Sequence, residues 1–305
     1  MIIIDAHSHL WLRQDTVVDG MKIQTIKNGL ALFMGEVRLM LPPYILDGRN
    51  TVEIFFSNMN YAQISAAVVT QDYIDGLQNE YLWEVQQRFP YRFLCCGMVD
   101  ARIPGYFEQG KELITRGFRA IKIPAGRLIM PDKRVQLTSE EMMKLFKEME
   151  KQAIILSIDL AEGDMQVNEM EEIIAECPKL KIAIGHFGMA GRHGWKKQIN
   201  LARHENVRIE SGGITWLFHK EFYPYKSAVR AIKEAAEMVG IEKLMWGSDY
   251  PRTMTAITYR MSYDFILKSN LLNDSEKKLF LGANAHAFYN FGVVPDVTYI
   301  KNICE

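Results

Sequence analysis

The chain has 305 residues, of which 48% are hydrophobic and 24% charged, as is typical of a globular protein with a sizeable core. Its formal net charge is −1, and the charges form no basic stripe, which argues against a nucleic-acid partner. No stretch approaches the roughly 18 consecutive apolar residues of a membrane-spanning helix, so we predict no membrane partner either.

The N-terminal sequence MIIIDAHSHLW lacks the basic region of a signal peptide, and its apolar run ends at Asp5. Four cysteines are present, and none belongs to a C-x-x-C pair. They are Cys95, Cys96, Cys177 and Cys304. Free thiols are typical of a reducing compartment, so we expect a cytoplasmic protein.

Short apolar runs alternate along the chain with longer helical patterns. Near-continuous apolar runs of this kind are typical of parallel strands buried on both faces. We predict strands at residues 2–4, 62–70, 92–99, 117–123, 153–158, 181–187, 207–211 and 244–248. Eight strand–helix units favour an α/β fold of the (β/α)₈ TIM-barrel type over a doubly wound open sheet.

Five features complete the predicted organisation. Thr138 and Glu141 have the spacing of a capping box at a helix start, and Gly240 is placed to end another helix. Residues 12–60 do not fit one strand–helix unit, and we interpret them as an insertion after strand 1 that caps the barrel mouth. A C-terminal helical tail is predicted from Leu271, with a turn at Gly282, and we expect residues 1–305 to form a single domain.

Ionisable residues recur where the predicted strands end, which is where barrels of this type place their active sites. They are Asp5, His7 and His9 on strand 1, Lys122 on strand 4, Asp159 on strand 5, His186 on strand 6, Glu210 on strand 7 and Asp249 on strand 8. Any one of these placements is compatible with chance. Agreement among so many strands favours a functional site.

His7 and His9 are the strongest candidates for metal ligands. Side chains at i and i+2 of an extended backbone share a face, so two imidazoles can converge on one ion. The alternative is two polar residues in an ordinary turn. Asp249 follows the last strand, which adjoins the first when a barrel closes, so it is predicted as a further ligand and as a general base. A turn or helix-capping aspartate is the alternative for that position.

Other polar residues are candidates for binding and catalysis. His186 is predicted as a metal ligand or catalytic histidine, with a core-edge histidine bonded to a carbonyl as the alternative. His193 lies in a glycine-rich loop and is predicted to contact substrate. Lys122 is a candidate for substrate binding or for carbamylation, in which it would bridge two metals. The alternative is a lysine that points outward between the helices. Arg127 and Arg252 are candidates for holding a substrate carboxylate.

The chain resembles the amidohydrolase superfamily, and most closely its amidohydrolase 2 group of decarboxylases and sugar-acid lactonases. The resemblance lies in IDAHSHLW, GFRAIKI, IGHFG, WGSDYP and GANAHAFYNF and covers nearly the whole chain outside residues 12–60. It implies a barrel with a divalent metal, usually zinc, held by His7 and His9, with Asp249 as a ligand or general base and His186 as a ligand or catalytic residue. Many relatives have a histidine where this chain has Asp159, which as a carboxylate ligand suits zinc or manganese.

We therefore predict a metal-dependent hydrolase in which activated water attacks a lactone, ester or amide of a small organic acid. The expected cofactor is zinc, with manganese as the alternative, and the expected partner is a small carboxylic acid derivative. A non-oxidative decarboxylase with His186 as proton donor is the second hypothesis. A metal-free lactonase or a ligand-binding barrel without activity is the third, and homo-oligomerisation is left open.

Overall fold

The structure, a computed structural model, describes residues 1–129, 134–301 and 303–304. Its strands are β1 (Ile4–His9), β2 (Asp15–Val18), β3 (Met21–Thr25), β4 (Leu30–Phe33), β5 (Glu36–Leu39), β6 (Ala66–Thr70), β7 (Phe93–Met98), β8 (Ala120–Ile123), β9 (Ile155–Ile158), β10 (Ile182–Ile184), β11 (Val207–Glu210) and β12 (Leu244–Met245).

The α-helices are α1 (Val52–Tyr61), α2 (Asn79–Arg88), α3 (Tyr106–Arg116), α4 (Glu140–Lys151), α5 (Val167–Glu176), α6 (Trp195–Asn200), α7 (Ile214–Leu217), α8 (Lys226–Val239), α9 (Met261–Lys268), α10 (Asp274–Lys278) and α11 (Asn284–Tyr289). Shorter 3₁₀ turns follow several strands. Among the described residues, no helix is both long and apolar enough to cross a membrane.

Eight parallel strands form the barrel, in the order β1-β6-β7-β8-β9-β10-β11-β12. The last strand returns to the first, because Ala6 N donates to Trp246 O and Asp249 N donates to His7 O, both at 2.9 Å. Each of the eight predicted strands overlaps one of these strands. The prediction of a (β/α)₈ barrel is therefore confirmed.

The barrel interior is filled by alanines interleaved with larger aliphatic side chains. The buried cluster combines Ile4, Ala6, Ala66, Val68, Leu94, Cys96, Ala120, Ile155, Ala183 and Met245 with side chains of the C-terminal tail. From the tail, Phe288, Tyr289 and Phe291 pack into the same cluster. The tail therefore closes the end of the barrel at which the strands begin and leaves the opposite end open for a site.

Strand β1 contains one residue more than its neighbour requires. Asp5 is opposite Ala67, yet Ser8 is opposite Val69, so three steps along β1 match two along β6. Such a bulge shifts the alternation of side chains between the two faces. Without it, Ser8 would occupy the position opposite Thr70 that His9 occupies.

Three local predictions are corrected by the structure. The first strand extends from Ile4 through His9, so both histidines lie within it rather than beyond it. The helix predicted to begin with a Thr138 capping box begins at Glu140, with Ser139 at the N-cap and no side-chain cap hydrogen bond. The tail has no turn at Gly282, because a π-helical segment, Leu279–Ala283, joins α10 to α11. The predicted helix end at Gly240 is confirmed.

Residues 15–39 form a second, four-stranded antiparallel sheet in the order β2-β3-β4-β5. Strand β2 packs against the 3₁₀ turn Tyr73–Asp75, which follows β6 at the open end of the barrel. Helix α1 then leads the chain into β6. The single-domain assignment and the capping role of residues 12–60 stay predictions.

Gly282 allows the tail to pack against the start of β1. A methyl group on its Cα would lie 2.2 Å from the backbone oxygen of Ile2. We expect Gly282→Ala to lower the free energy of unfolding by about 1–3 kcal/mol, because backbone atoms cannot rotate away from the added group. Urea denaturation measures the change. Ala287→Ser, at an exposed position of α11, should change it by about 0.5 kcal/mol or less. An unchanged midpoint for Gly282→Ala would contradict this packing.

Candidate active site

Three side chains at the C-terminal ends of β1 and β12 converge on one point. The Nε2 atoms of His7 and His9 lie 3.1 Å apart. The Oδ1 atom of Asp249 lies 3.2 Å from His9 Nε2 and 3.9 Å from His7 Nε2. All three residues are buried. The structure therefore brings together three of the five residues that the sequence predicted as metal ligands.

Each imidazole is oriented by a buried carboxylate on its other nitrogen. His7 Nδ1 lies 2.6 Å from Glu210 Oε1, and His9 Nδ1 lies 2.7 Å from Asp75 Oδ2. A carboxylate accepts a hydrogen bond from the Nδ1–H tautomer and so leaves the Nε2 lone pair free. Both Nε2 atoms lie within 4 Å of Asp249 Oδ1, so the three atoms are grouped as ligands of one ion would be.

These residues fit a divalent metal ion. Two nitrogens bonded to zinc at about 2.0–2.1 Å with a tetrahedral angle would be roughly 3.4 Å apart, close to the 3.1 Å between His7 and His9. Two facing imidazole lone pairs at that distance repel each other unless a cation or a proton lies between them. A second group of possible ligand atoms adjoins the first and shares His7 with it, adding Asp159 and His186.

Asp249 is held in place by hydrogen bonds with β1 and with Trp216 of α7. Its own backbone N–H donates to His7 O, and Trp216 Nε1 donates to its Oδ2 at 2.9 Å. The buried carboxylate of Asp5 accepts from Ser248 N at 2.8 Å, which fastens the adjacent residue to β1. Asp249 Oδ1 is therefore the carboxylate oxygen that faces the histidines.

Three glycines at the ends of β10, β11 and β12 make room for the His7–Glu210 pair. A methyl group on Gly185 would lie 2.7 Å from Glu210 Oε1, and one on Gly212 would lie 2.8 Å from His7 Cγ. One on Gly247 would lie 2.7 Å from both Glu210 Oε2 and His7 Cβ. Any side chain at these positions would displace the pair, so the glycines are part of the site.

A second set of charges lies on the other side of His7. Lys122 Nζ is 2.6 Å from Asp159 Oδ1, and Asp159 Oδ2 is 3.5 Å from His186 Nε2. The Nδ1 atom of His186 is 2.9 Å from Gly212 O, so this nitrogen carries a proton. A chain of alternating charges thus runs from the buried lysine to His186, whose side chain is 22% exposed.

The charges of the site set its protonation states. Burial opposes ionisation of Asp249, but the hydrogen bond with His9 and the charge of Arg252 outweigh it and hold the pKa of Asp249 below its usual range. Burial likewise lowers the pKa of His186, but Asp159 outweighs this effect, with smaller contributions from Asp249 and Glu210, and raises that pKa to about 10. The site therefore pairs an anionic Asp249 with a cationic His186 at neutral pH.

A cavity of about 320 Å³ opens above these groups. Its polar lining residues are His9, Asp72, Arg127, Asp159, Glu162, His186, Trp216, Asp249 and Arg252. Arg252 Nη2 lies 2.5 Å from Asp75 Oδ1, and Arg127 Nε lies 3.3 Å from Asp72 Oδ1. Its volume is that of a small-molecule site, and two guanidinium groups border it.

The structure does not bring two of the predicted substrate-binding residues to this cavity. Lys122 points into the barrel but is fully buried beneath Asp159. His193 is exposed in the loop before α6 and is not among the residues that line the cavity. Direct contact of either residue with substrate is not supported by this geometry.

Sequence reasoning missed two residues of the site and undervalued a third. Asp75 follows β6 in the sequence TQDYID. This stretch places two acidic residues, Asp72 and Asp75, just after a strand end, and that pattern could have identified it. Trp216, on α7, carried no such signal. Glu210 was noted as an ionisable strand residue without a role. Its partner is His7, 203 positions away in the chain.

Comparison with known proteins identifies the family to which this chain belongs. The family model described as Amidohydrolase matches residues 4–291. A search of curated proteins found no match.

Several solved structures share the fold at low sequence identity. A probable 2-pyrone-4,6-dicarboxylic acid hydrolase from Acinetobacter baumannii, with citric acid bound, is 19% identical with a TM-score of 0.69, over 95% of this chain and 100% of that one. An amidohydrolase from Burkholderia multivorans with bound zinc is 16% identical with a TM-score of 0.68, over 97% and 100%. 5-Carboxyvanillate decarboxylase from Sphingomonas paucimobilis is 15% identical with a TM-score of 0.56, over 80% and 84%.

The family model covers almost the entire barrel, including both histidines of β1 and Asp249. The solved structures, at these identities, establish the shared barrel fold. The chain belongs to the amidohydrolase family.

Proposed function

We propose that this protein is a metal-dependent hydrolase that cleaves a lactone, ester or amide of a small organic acid with water. One observation carries the proposal. The Nε2 atoms of His7 and His9, each backed by a buried carboxylate, converge with Asp249 Oδ1 at the base of a cavity of about 320 Å³. Family membership supports an enzyme, and the site geometry supports the metal.

His7, His9 and Asp249 would hold the ion. Asp159 and His186 form an adjacent group with His7, but a cationic His186 has no lone pair for a metal and would border the substrate instead. Bound there, a divalent cation would polarise a carbonyl oxygen and acidify water. Zinc is the first choice, because two imidazoles and one carboxylate are a common catalytic zinc set, and manganese is the second. The zinc in the relative from Burkholderia multivorans supports the same choice.

The chain's own residues would supply the proton transfers and the charge stabilisation. Asp249 is anionic, with Oδ2 fixed by Trp216, so Oδ1 is placed to take the proton of the attacking water and to return it to the leaving group. His186 is cationic and borders the cavity, so it would stabilise the negative charge that develops on the substrate oxygen. Lys122 would act through Asp159, by keeping it ionised beside His186.

Arg127 and Arg252 would bind a carboxylate of the substrate. Both border the cavity, and each is already ordered by an aspartate of the turn after β6. Guanidinium groups bind carboxylates with two parallel hydrogen bonds, which orients the substrate as well as attracting it. The relative with bound citric acid supports an acidic ligand of this size.

Decarboxylation is the second candidate, and the position of His186 favours it. Loss of carbon dioxide leaves a carbanion that must receive a proton, and His186 is a cationic donor at the cavity wall. The fold is also that of 5-carboxyvanillate decarboxylase. The same metal ligands would serve both reactions, so only the products distinguish them.

Substitution of both histidines tests the metal site. We expect His7→Ala combined with His9→Ala to abolish both the bound metal, measured by elemental analysis of protein purified without chelator, and the hydrolysis of a lactone, ester and amide panel. His204→Ala, which removes an exposed histidine, should leave both unchanged. Wild-type protein far below one ion per chain, without rescue by added zinc or manganese, would overturn the proposal. It would favour a metal-free lactonase or a binding barrel.

The two carboxylates behind the histidines are expected to set metal affinity. Glu210→Gln and Asp75→Asn should each weaken zinc binding by about 10–100-fold, because the neutral amide no longer raises the basicity of the imidazole. Competition with a chromophoric chelator measures the affinity. Glu171→Gln is the matched control, since Glu171 makes a carboxylate–imidazole contact outside the site, with Nε2 of His204 at 2.7 Å. Equal zinc affinity in the wild type, the two variants and the control would show that the carboxylates do not set metal affinity.

The reaction type is decided by the products of the holoenzyme. We expect substrates to gain one water and release no carbon dioxide, because the proposed attack is hydrolytic. Incubation with lactone, amide and aromatic or dienoic acid panels, followed by mass spectrometry and carbon dioxide measurement, distinguishes the two outcomes. Release of carbon dioxide without uptake of water would instead establish the decarboxylase.

A further inference from the structure

Strand β5 is an edge strand whose four residues are all exposed. It lies at the end of the order β2-β3-β4-β5, and Val37 and Leu39 are 60% and 68% exposed. An uncovered edge offers unpaired backbone groups to another strand. The sequence of β5 is Glu-Val-Arg-Leu, in which charged and apolar residues alternate.

The hairpin that precedes β5 determines which backbone groups face outward. Phe33 and Glu36 pair across a two-residue turn, Met34–Gly35, in which both residues have positive φ (51° and 82°). In such a hairpin the pair that flanks the turn exchanges both of its hydrogen bonds. The N–H and C=O groups of alternate residues, Val37 and Leu39, therefore point away from β4.

We propose that β5 pairs with β5 of a second copy of this chain, antiparallel and about a two-fold axis at Val37. The two four-stranded sheets then become one eight-stranded sheet across a homodimer. Each Val37 exchanges two backbone hydrogen bonds with Val37 of the second copy. The pairing uses no residue of the candidate active site.

The charges of Glu36 and Arg38 favour this register over the two registers that are shifted by one residue. With Val37 opposite itself, Glu36 faces Arg38 of the second copy and Arg38 faces its Glu36, at the closely spaced non-hydrogen-bonded positions. A shift of the two-fold axis by one residue either way places Glu36 opposite Glu36 or Arg38 opposite Arg38. Within one chain these two side chains form an ion pair, at 2.8 Å between Arg38 Nη2 and Glu36 Oε2, so both project from the same face of the sheet, on either side of Val37.

The apolar side of the same strand adds burial. Strand β4 places Leu30 opposite Leu39 and Leu32 opposite Val37, so the four side chains form one apolar face. Leu30 and Leu32 are only partly buried. Pairing brings the Val37 side chains of the two copies together and extends this face across the axis.

Charge reversal tests the pairing by sedimentation equilibrium at up to about 100 µM protein. We expect a wild-type dimer, and we expect Glu36→Arg and Arg38→Glu each to weaken it about tenfold or more, because like charges then oppose each other twice. The combined swap, Glu36→Arg with Arg38→Glu, should restore the dimer. A monomeric wild type, or a dimer that neither single variant weakens, overturns the proposal.

Mixing the two single variants separates loss of pairing from loss of folding. One carries two arginines on its edge strand and the other two glutamates, so the mixture should form a heterodimer with about wild-type affinity. Their metal content and circular dichroism should match the wild type. Failure of the folded variants to associate with each other overturns the register.

Cross-linking tests the two-fold axis directly. In protein with Cys304→Ser, Val37→Cys should form an intermolecular disulfide on oxidation, because the paired Cα atoms would be about 5.5 Å apart. Leu39→Cys is the matched control, since two such residues would be roughly 14 Å apart in this register and should not cross-link. Cross-linking through Leu39→Cys but not Val37→Cys overturns the proposal.

Discussion

The hydrogen bond between each imidazole and a buried carboxylate is the interaction on which the rest of the site depends. The carboxylates of Glu210 and Asp75 set the tautomer and the ring orientation of His7 and His9. Without these partners, the two rings would be free to turn their Nδ1 atoms inward. The convergence of the Nε2 atoms, the position of Asp249 and the proposed metal chemistry all follow from this constraint.

Burial of so many charges in one place is tolerated because nearly every charge has a partner of opposite sign. Lys122 is paired with Asp159, Arg252 with Asp75 and Asp249, and the two histidines with carboxylates. An unpaired buried charge would cost several kcal/mol, whereas a paired one can be retained. The barrel provides this arrangement because eight strand ends bring groups distant in the chain to one rim.

Small residues and irregular backbone create the space that the charged groups occupy. The bulge in β1 turns His9 toward the barrel interior, and three glycines at successive strand ends leave room for the His7–Glu210 pair. These features weaken regular strand structure locally, and they occur where the site requires them. The interior below is filled by alanines, larger aliphatic side chains and the aromatic residues of the tail.

The eight-stranded barrel and the candidates His7, His9, His186 and Asp249 were predictable from the amino-acid sequence. Apolar runs indicate burial on both faces of a strand, and the polar residues that end such runs indicate the rim of the barrel. Which of these groups contact one another became visible in the folded chain. Glu210 and Asp75 reach the histidines from distant strand ends, Lys122 is buried beneath Asp159, and His193 lies away from the cavity. These are contacts between residues far apart in the chain. Barrel closure indicates which strand ends are neighbours, but local sequence patterns do not specify which side chains of those ends form a contact.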